Sequence, residues 1–346
     1  MIRKTMREHP FLSYYFIAVA FPSLLFTYLT ILVISFPDMY GPGQSVAVTF
    51  YALRDTLIET YPVLFHHQDS VVLYVTAYFL MPIGAPFFFF PAAPTCAALI
   101  VTAANHGKRG LRALVRLYKP VQGSLKAGDG IRIYAILLGT IAAMTATVWL
   151  REYWFGDPSQ AQHYLQHLGF IDPVTFLSSW LMALFLNQGA LLEELGWRGF
   201  GLPLLTRALR KPLLAAIILG VFWTFWHFPR EVPGLLSGSQ SWSDLVTGQA
   251  LFLISCCSMS VVAAYFVNIT GGSVLPAIML HGTFNHVGGM FSSIQEGARS
   301  GFTLDSPLMW LTLAVLLVLV VGKDLGWQKR LQIRSEDGVT NGDHRQ

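Results

Sequence analysis

The sequence predicts an all-α, polytopic membrane protein with about eight transmembrane helices. Hydrophobic residues make up 53% of the chain and charged residues 12%, which is about half of the roughly 25% charge that soluble domains carry. Long uncharged runs recur along the chain, and about 20 apolar residues in a helix cross the hydrocarbon core of a bilayer. We therefore expect an integral, multi-pass protein of the plasma (cytoplasmic) membrane.

Eight apolar runs supply the predicted spans. They cover residues 11–36, 71–104, 133–150, 173–192, 212–229, 248–268, 272–295 and 306–322. The first run is longer than the apolar region of a signal peptide, and no small-residue cleavage site precedes Pro37, so it is interpreted as a retained span. The second run contains four prolines, which predict a kinked or protruding helix.

The distribution of basic residues orients these spans. Of the 23 Lys and Arg residues, 19 fall on one side of the eight-span arrangement and 4 on the other. Cytoplasmic loops carry the excess of Lys and Arg, so both the N-terminus and the C-terminus are predicted to be cytoplasmic. The basic residues from Lys108 to Arg132 then form a lipid-facing cytoplasmic surface, and they give no reason to expect nucleic-acid binding.

The stretch LLEELGWRGF, residues 191–200, places two glutamates and an arginine in an apolar tract. Charges at membrane depth are costly and indicate a functional site when partners can be named. Glu194 and Arg198 are four residues apart, so they share a helix face and can pair. Glu193 lies about 100° further round the helix, beside Trp197 and without a local cation. It is the carboxylate that stays available for chemistry.

Two later spans carry further polar groups. His227 lies in VFWTFWHFP, and HGTFN holds His281 and Asn285, four apart on one face. A glutamate can take a proton from water. Histidines can hold a metal ion, orient the water or stabilise an oxyanion, and an asparagine can donate to developing negative charge. Three helices could thus combine into a hydrolytic site.

The depths of these residues agree if the helix that carries the glutamates is continuous. Counted from the cytoplasmic ends of their helices, Glu193 lies roughly 21 Å and His227 roughly 22 Å into the membrane, and His281 lies roughly 12 to 15 Å in. The agreement requires the first of these helices to continue to about Arg207. The glycines and the proline in 199–203 predict a bend on the way.

Three segments, LLEELGWRG, WTFWH and LPAIMLHGTFN, resemble the motifs of the CAAX-processing and bacteriocin-processing intramembrane proteases. This family includes the type II CAAX prenyl endopeptidases and many bacterial abortive-infection homologues. Its pattern is two glutamates with an arginine four after the second, an aromatic four before a histidine, and a histidine four before an asparagine. Trp223 is a departure, because the family usually has Phe there. The resemblance covers about 175–290.

The resemblance implies an all-helical membrane fold with a cavity that opens towards the cytoplasm, and it implies an intramembrane endopeptidase. Carried over to this chain, Glu193 is the base that activates water, and Glu194 and Arg198 support it. The other motif residues bind a metal ion or form the oxyanion site: His227, His281 and Asn285.

The same resemblance leaves the role of a metal open. Members are called metalloproteases, but a glutamate-dependent route without direct zinc catalysis has also been argued. Glu193, His227 and His281 could complete a zinc site with water, so a divalent metal ion, zinc if any, is the expected cofactor. Asn285 is a poor zinc ligand, and an oxyanion role is favoured for it under either route.

The motifs also divide the chain. A protease-type core is expected at 171–295, after an N-terminal transmembrane region at 1–170 that has three spans and the basic cytoplasmic loop 105–132. Residues 296–334 hold the last span and a basic flank, and 335–346 form a polar tail that is predicted to be disordered. The expected partners are a peptide or membrane-protein substrate and the lipid bilayer.

Two other functions are open at this level. A non-catalytic scaffold of the same fold could bind a membrane partner, although all six polar motif residues are present, which favours an enzyme. A transporter also uses intramembrane Glu, His and Arg, but the polar residues cluster in one half of the chain and no inverted repeat is visible. The natural substrate, whether a CAAX-type protein, a leader peptide or a membrane protein, is open too.

Overall fold

A computed structural model describes residues 2–35, 46–65, 69–81, 85–155, 158–236, 241–293 and 305–335. Within these ranges the chain is helical, with two isolated β-bridges and no strand. The predicted all-α class is therefore confirmed.

The helices follow one another closely along the chain. The first half contains α1 Ile2–Glu8, α2 Pro10–Ser35, α3 Val46–Thr60, α4 Pro62–Phe65, α5 Val71–Leu80, α6 Ala85–Val115, α7 Ala127–Phe155 and α8 Pro158–His167. The second half contains α9 Pro173–Phe185, α10 Gln188–Glu194, a π-helical segment Leu195–Gly201, α11 Leu202–Leu209, α12 Pro212–Trp226, α13 Val232–Leu236, α14 Trp242–Ile269, α15 Leu275–Ser293, α16 Asp305–Val321 and α17 Trp327–Ser335. Short 3-10 turns lie at Arg116–Tyr118 and Phe228–Glu231.

Several of these helices are suited to a bilayer. Among the described residues, four are long and apolar enough to cross one: Pro10–Leu32, Ala127–Phe155, Pro212–Glu231 and Trp242–Ile269. Shorter apolar helices occupy Val71–Leu80, Pro173–Phe185 and Pro307–Val321. The membrane class is thus supported, whereas the count of eight spans and the cytoplasmic orientation of the termini stay predictions.

The run at 173–192 forms two helices instead of the single predicted span. Leu186 and Asn187 interrupt it, and the Asn187 side chain caps α10 by accepting from the Ala190 N–H at 3.0 Å. The N–H of Val71 donates to the carbonyl of Leu186 at 2.6 Å, and the carbonyl of Asp69 accepts from the N–H of Gln188 at 2.7 Å. Non-helical backbone is tolerated at membrane depth where protein supplies such bonds.

The second apolar run, 71–104, is also divided. Helix α5 ends at Leu80, residues 82–84 lie outside the described part of the chain, and α6 contains Pro91 and Pro94. Proline removes a helical hydrogen bond and clashes with the preceding turn. The kinked helix predicted for this run is therefore replaced by two helices, the second of which carries internal prolines.

Much of the basic segment 105–132, which the sequence predicts to be a loop, is helical. Helix α6 continues to Val115 and α7 begins at Ala127. Gly107 has non-helical dihedral angles, with φ 57°, which cost glycine little, so α6 consists of two helical segments that meet at a kink there. The predicted disordered tail lies outside the described residues from position 336 onward.

Two glycines allow the site-bearing helices to approach their neighbours. A Cβ on Gly196 would collide with the backbone of Pro94 in α6, and a Cβ on Gly282 would collide with the carbonyl oxygen of Ala183 in α9. Small residues are a usual means of close packing between membrane helices. These contacts hold the π-helical segment against α6, and α15 against α9.

Aromatic side chains join α2, α6 and α12 where these helices meet. Trp226 is fully buried, its indole donates to the carbonyl of Ala18 in α2 at 2.8 Å, and its ring stacks on Phe90 in α6 at 4.3 Å. Tyr15 in α2 donates to the carbonyl of Phe222 in α12 at 3.1 Å. Both polar tips thus find backbone partners while the rings pack.

Candidate active site

The helical segment that carries the glutamates is continuous from Gln188 to Leu209. Helix α10 passes into the π-helical segment, and the latter into α11, with right-handed helical dihedrals at both junctions. The wider turn is marked by the bond from Leu202 N to Trp197 O. The expected bend is thus a π-helical turn, a feature that is frequent at functional sites, and the continuity that the depth estimate required is present.

Glu194 is the centre of a buried charge cluster. Its Oε1 accepts from Arg198 Nη1 at 2.7 Å and from His281 Nδ1 at 2.8 Å. Arg198 also donates to Ser260 at 3.0 Å. The spacing of four residues predicts the pair with Arg198, but not the contact with His281. Because that contact uses Nδ1, Nε2 is the ring nitrogen of His281 that remains for other partners.

Glu193 is held by neutral donors. Its side chain is buried, and its Oε2 accepts from the indole N–H of Trp223 at 2.8 Å and from that of Trp197 at 3.3 Å. Both donors orient the carboxylate without adding a positive charge beside it. The two adjacent glutamates are therefore in different environments, as the helix spacing predicts.

Gly189 opens a small space beside the other oxygen of Glu193. A Cβ on Gly189 would lie 3.3 Å from Glu193 Oε1 and 3.1 Å from Asn285 Nδ2. Asn285 Nδ2 also donates to Asn187 Oδ1 at 3.0 Å. An acceptor on α10 and a donor on α15 thus border the same position. We call this position the Gly189 notch.

His227 lies in a box of aromatic rings. Its Nδ1 is 2.8 Å from the carbonyl oxygen of Trp223, which can only accept, so Nδ1 carries the proton and Nε2 is the acceptor of the neutral ring. The rings of Trp226, Phe252 and Phe90 meet it edge-on at 4.6, 4.8 and 5.8 Å. These contacts fix the orientation of the imidazole.

Trp223 is the residue around which the motif side chains gather. Its indole bonds to Glu193 and its carbonyl to His227. Its ring meets that of His281 edge-on at 5.0 Å, and the guanidinium of Arg198 lies 4.5 Å above it. The sequence indicated it only as a retained aromatic, although its position four before His227 places both on one helix face.

The predicted metal ligands are not assembled. Among the described residues, no group of three His, Cys, Asp or Glu side chains is placed to hold a metal ion. Glu193 Oε2 and the Nδ1 atoms of His227 and His281 have protein partners, which leaves Glu193 Oε1 and both Nε2 atoms for other partners. The three side chains are not gathered at one point, so zinc binding stays a prediction.

His286 lies apart from this cluster. Its Nε2 is 3.4 Å from the hydroxyl of Ser179, and its ring is edge-on to Trp180 at 5.5 Å. Trp180 also borders an apolar cavity of about 470 Å³ between α7, α8 and α9. The cavity walls include Ile141, Thr145, Trp149, Leu165, Phe176 and Leu184.

Comparison with known proteins places all six polar motif residues in a family segment. Residues 174–287 match the family model of the Rce1-like, type II CAAX prenyl endopeptidases. CAAX prenyl protease 2 of Methanococcus maripaludis is 28% identical over 117 residues, which are 32% of this chain and 41% of the relative. The match thus spans about two-fifths of that relative's length. The resemblance carried by the three motifs is therefore confirmed, and over residues 174–287 the chain is similar to the type II CAAX prenyl endopeptidases.

Proposed function

We propose that the chain is an intramembrane endopeptidase in which Glu193 activates the attacking water. The observation that carries this proposal is the pair of groups at the Gly189 notch: a buried carboxylate oxygen and the amide of Asn285 border one position. The matched family consists of endopeptidases, so a hydrolase is favoured over a scaffold or a transporter.

The proposed reaction uses the side chains of the notch. Glu193 Oε1 accepts a proton from water while the water oxygen bonds to the carbonyl carbon of the peptide. Asn285 Nδ2 has two hydrogens, and Asn187 accepts one of them, so the other can donate to the oxyanion. The proton on Glu193 then passes to the leaving amine as the C–N bond breaks, which returns the carboxylate.

The histidines can support this reaction through their Nε2 atoms. His227 offers Nε2 as an acceptor for the second hydrogen of the water, because its Nδ1 proton is committed to Trp223 O. The hydrogen bond between Nδ1 and Glu194 orients the ring of His281, and its Nε2 is left for other partners. The charge cluster of Glu194 and Arg198 thus acts through the position of His281.

We also propose that the substrate carries a hydrocarbon group. The similar archaeal protein is named a prenyl protease, and the cavity of about 470 Å³ falls in the usual range of roughly 300–1,000 Å³ for ligand pockets. Trp180 lines this cavity and its ring contacts His286, the residue that follows Asn285, so a hydrocarbon group in the cavity is the arrangement that we propose. Leader peptides and membrane proteins are the alternative substrates.

Purified protein in lipid nanodiscs tests both parts. It is incubated with internally quenched peptides with and without a C-terminal farnesyl group, and cleavage is followed by fluorescence. We expect faster cleavage of the farnesylated peptides and loss of at least about 100-fold in Glu193→Gln, the size typical of an acid–base group. Equal cleavage of both peptide sets would contradict the hydrocarbon group, and equal rates in Glu193→Gln would contradict the glutamate route.

The same assay decides the role of zinc. Because no three ligand side chains are gathered at one point among the described residues, we expect activity that survives 1,10-phenanthroline and less than stoichiometric zinc by elemental analysis. One zinc ion per chain, with loss of activity on chelation and recovery on re-addition, would show that the site rearranges around a metal.

A further inference from the structure

We propose that Trp223 is a positioning residue for Glu193, whose carboxylate its indole N–H holds with Oε1 turned towards the Gly189 notch. The inference rests on the proposed function and adds to it a residue outside the six polar groups of the motifs. Trp223 is also where this chain departs from the family pattern, and Phe at that position would have no donor.

The hydrogen bond from Trp223 is the stronger of the two that Glu193 receives. At 2.8 Å, it has the length of a charge-assisted bond to a carboxylate, about 2.7–2.9 Å. The bond from Trp197 is 3.3 Å, beyond the usual range of about 2.7–3.2 Å. Trp223 and Glu193 are also almost fully buried, where little water competes for the bond.

The indole itself is held in place. The Arg198 guanidinium lies over its ring at 4.5 Å, and the rings of His281 and Phe252 contact it at 5.0 and 6.5 Å. A Trp ring that is fixed on these sides cannot turn its N–H away from Glu193. The donor is therefore pre-organised before any substrate arrives.

The contact determines which carboxylate oxygen stays reactive. Both indoles donate to Oε2, so the remaining oxygen, Oε1, faces the notch beside Gly189. Without the Trp223 donor, the carboxylate regains rotational freedom that has to be lost again at each turnover. A misplacement of about 1 Å can cost about 100-fold in rate.

Trp223→Phe isolates the donor, because Phe keeps an aromatic ring under Arg198 and beside His281. We expect kcat to fall about 10- to 100-fold, with KM within about twofold. The Tm should fall as well, because a buried ring becomes smaller and a buried hydrogen bond is lost. Trp197→Phe is the matched control, which removes the long bond to the same oxygen, and we expect a loss of less than about threefold. Trp223→Phe with wild-type kcat would overturn the proposal, as would a fall of kcat no larger than that of Trp197→Phe.

A spectroscopic test does not depend on activity. With ¹⁵N-labelled tryptophan, the indole N–H resonance of Trp223 should shift in Glu193→Gln, while that of Trp226, which donates to Ala18 O, stays in place. An unshifted Trp223 resonance would overturn the proposal. If the wild type cleaves no peptide, the endopeptidase proposal fails by itself, and the resonance still decides whether the indole holds the carboxylate.

Discussion

At the scale of single residues, the two adjacent glutamates differ because their donors differ. Glu194 is paired with Arg198 and His281, whereas Glu193 accepts from two neutral indoles. A carboxylate that is tied to an arginine and a histidine has few orientations left. The charge cluster is therefore suited to holding α10 and α15 together, whereas Glu193 is the carboxylate that borders the Gly189 notch.

Replacement of Arg198 by Met should destabilise the protein strongly. The change leaves the buried Glu194 without its cation, and removing one partner of a buried ion pair costs about 3–5 kcal/mol. The measurement is the Tm in detergent by intrinsic fluorescence. Arg230→Met is the control, because the pair of Arg230 with Glu231 is partly exposed and is expected to contribute less than about 1 kcal/mol. Equal Tm values for the two variants would contradict the structural role of Arg198.

Gly189→Ala should separate stability from activity. The added methyl group would sit 3.1 Å from Asn285 Nδ2 and 3.3 Å from Glu193 Oε1, in the position proposed for the reacting atoms. Alanine is also the better helix former, which offsets part of the cost of these close contacts. We expect peptide cleavage to fall at least about tenfold, as a misplacement in the site predicts, with a Tm close to that of the wild type.

Gly139→Ala is the control for that substitution. A Cβ on Gly139, within α7, meets nothing within 4 Å, so this variant should keep full activity. If Gly189→Ala also cleaved at the wild-type rate, the notch could not be the place of reaction.

The local contacts of the site could be predicted from the sequence, but the distant ones could not. Glu194 and Arg198 lie one helical turn apart, so spacing alone predicts their pair. The contact of His281 with Glu194 joins residues 87 positions apart, and that of Trp223 with Glu193 joins residues 30 apart. Such contacts depend on how the helices pack, which no local pattern in this sequence specifies.

At the scale of helices, the break at Asn187 is the feature that places the site. The run at 173–192 has no charge before its glutamates, so composition indicates one span. The break is stabilised by bonds from residues 69–71, about 115 positions earlier in the chain, and local propensity does not reveal it. Asn is a common helix N-cap, but the prediction of a single span made no use of Asn187.

Asn187→Ala should weaken both the helix and the reaction. It removes the cap on the Ala190 N–H and the partner of Asn285 Nδ2. Loss of an N-cap costs about 0.5–2 kcal/mol, which a lower Tm would show, and the freed Asn285 amide should lower kcat. Asn187→Ser keeps a neutral N-cap acceptor without burying a second charge near Glu193, so we expect it to retain most of the stability. A Ser variant with a Tm as low as that of the Ala variant would argue against the capping role.

At the scale of the whole molecule, composition was sufficient for the class but not for the path of the chain. A low charged fraction and repeated apolar runs predicted an all-α membrane protein, and the helical structure agrees. The number of spans depends on helices such as α9, which has 13 residues and is shorter than the roughly 20 that cross a bilayer. Length and hydropathy do not assign such helices.

The predicted topology can be tested with fusions to the C-terminus. If the terminus is cytoplasmic, as the distribution of basic residues indicates, a green fluorescent protein fusion should fluoresce and an alkaline phosphatase fusion should be inactive. The same pair of reporters at the N-terminus should behave alike. An active phosphatase at either end would contradict the even number of spans or their orientation.

The most direct test of the central claim compares the membrane proteomes of cells that express the wild type or Glu193→Gln at matched levels, with Glu231→Gln as the control. New protein termini are identified by mass spectrometry. The account predicts substrates that are cleaved in the wild type and in the Glu231 variant and that accumulate uncleaved with Glu193→Gln. Identical termini in all three, in cells where deletion of the protein has a phenotype, would contradict a catalytic role for Glu193.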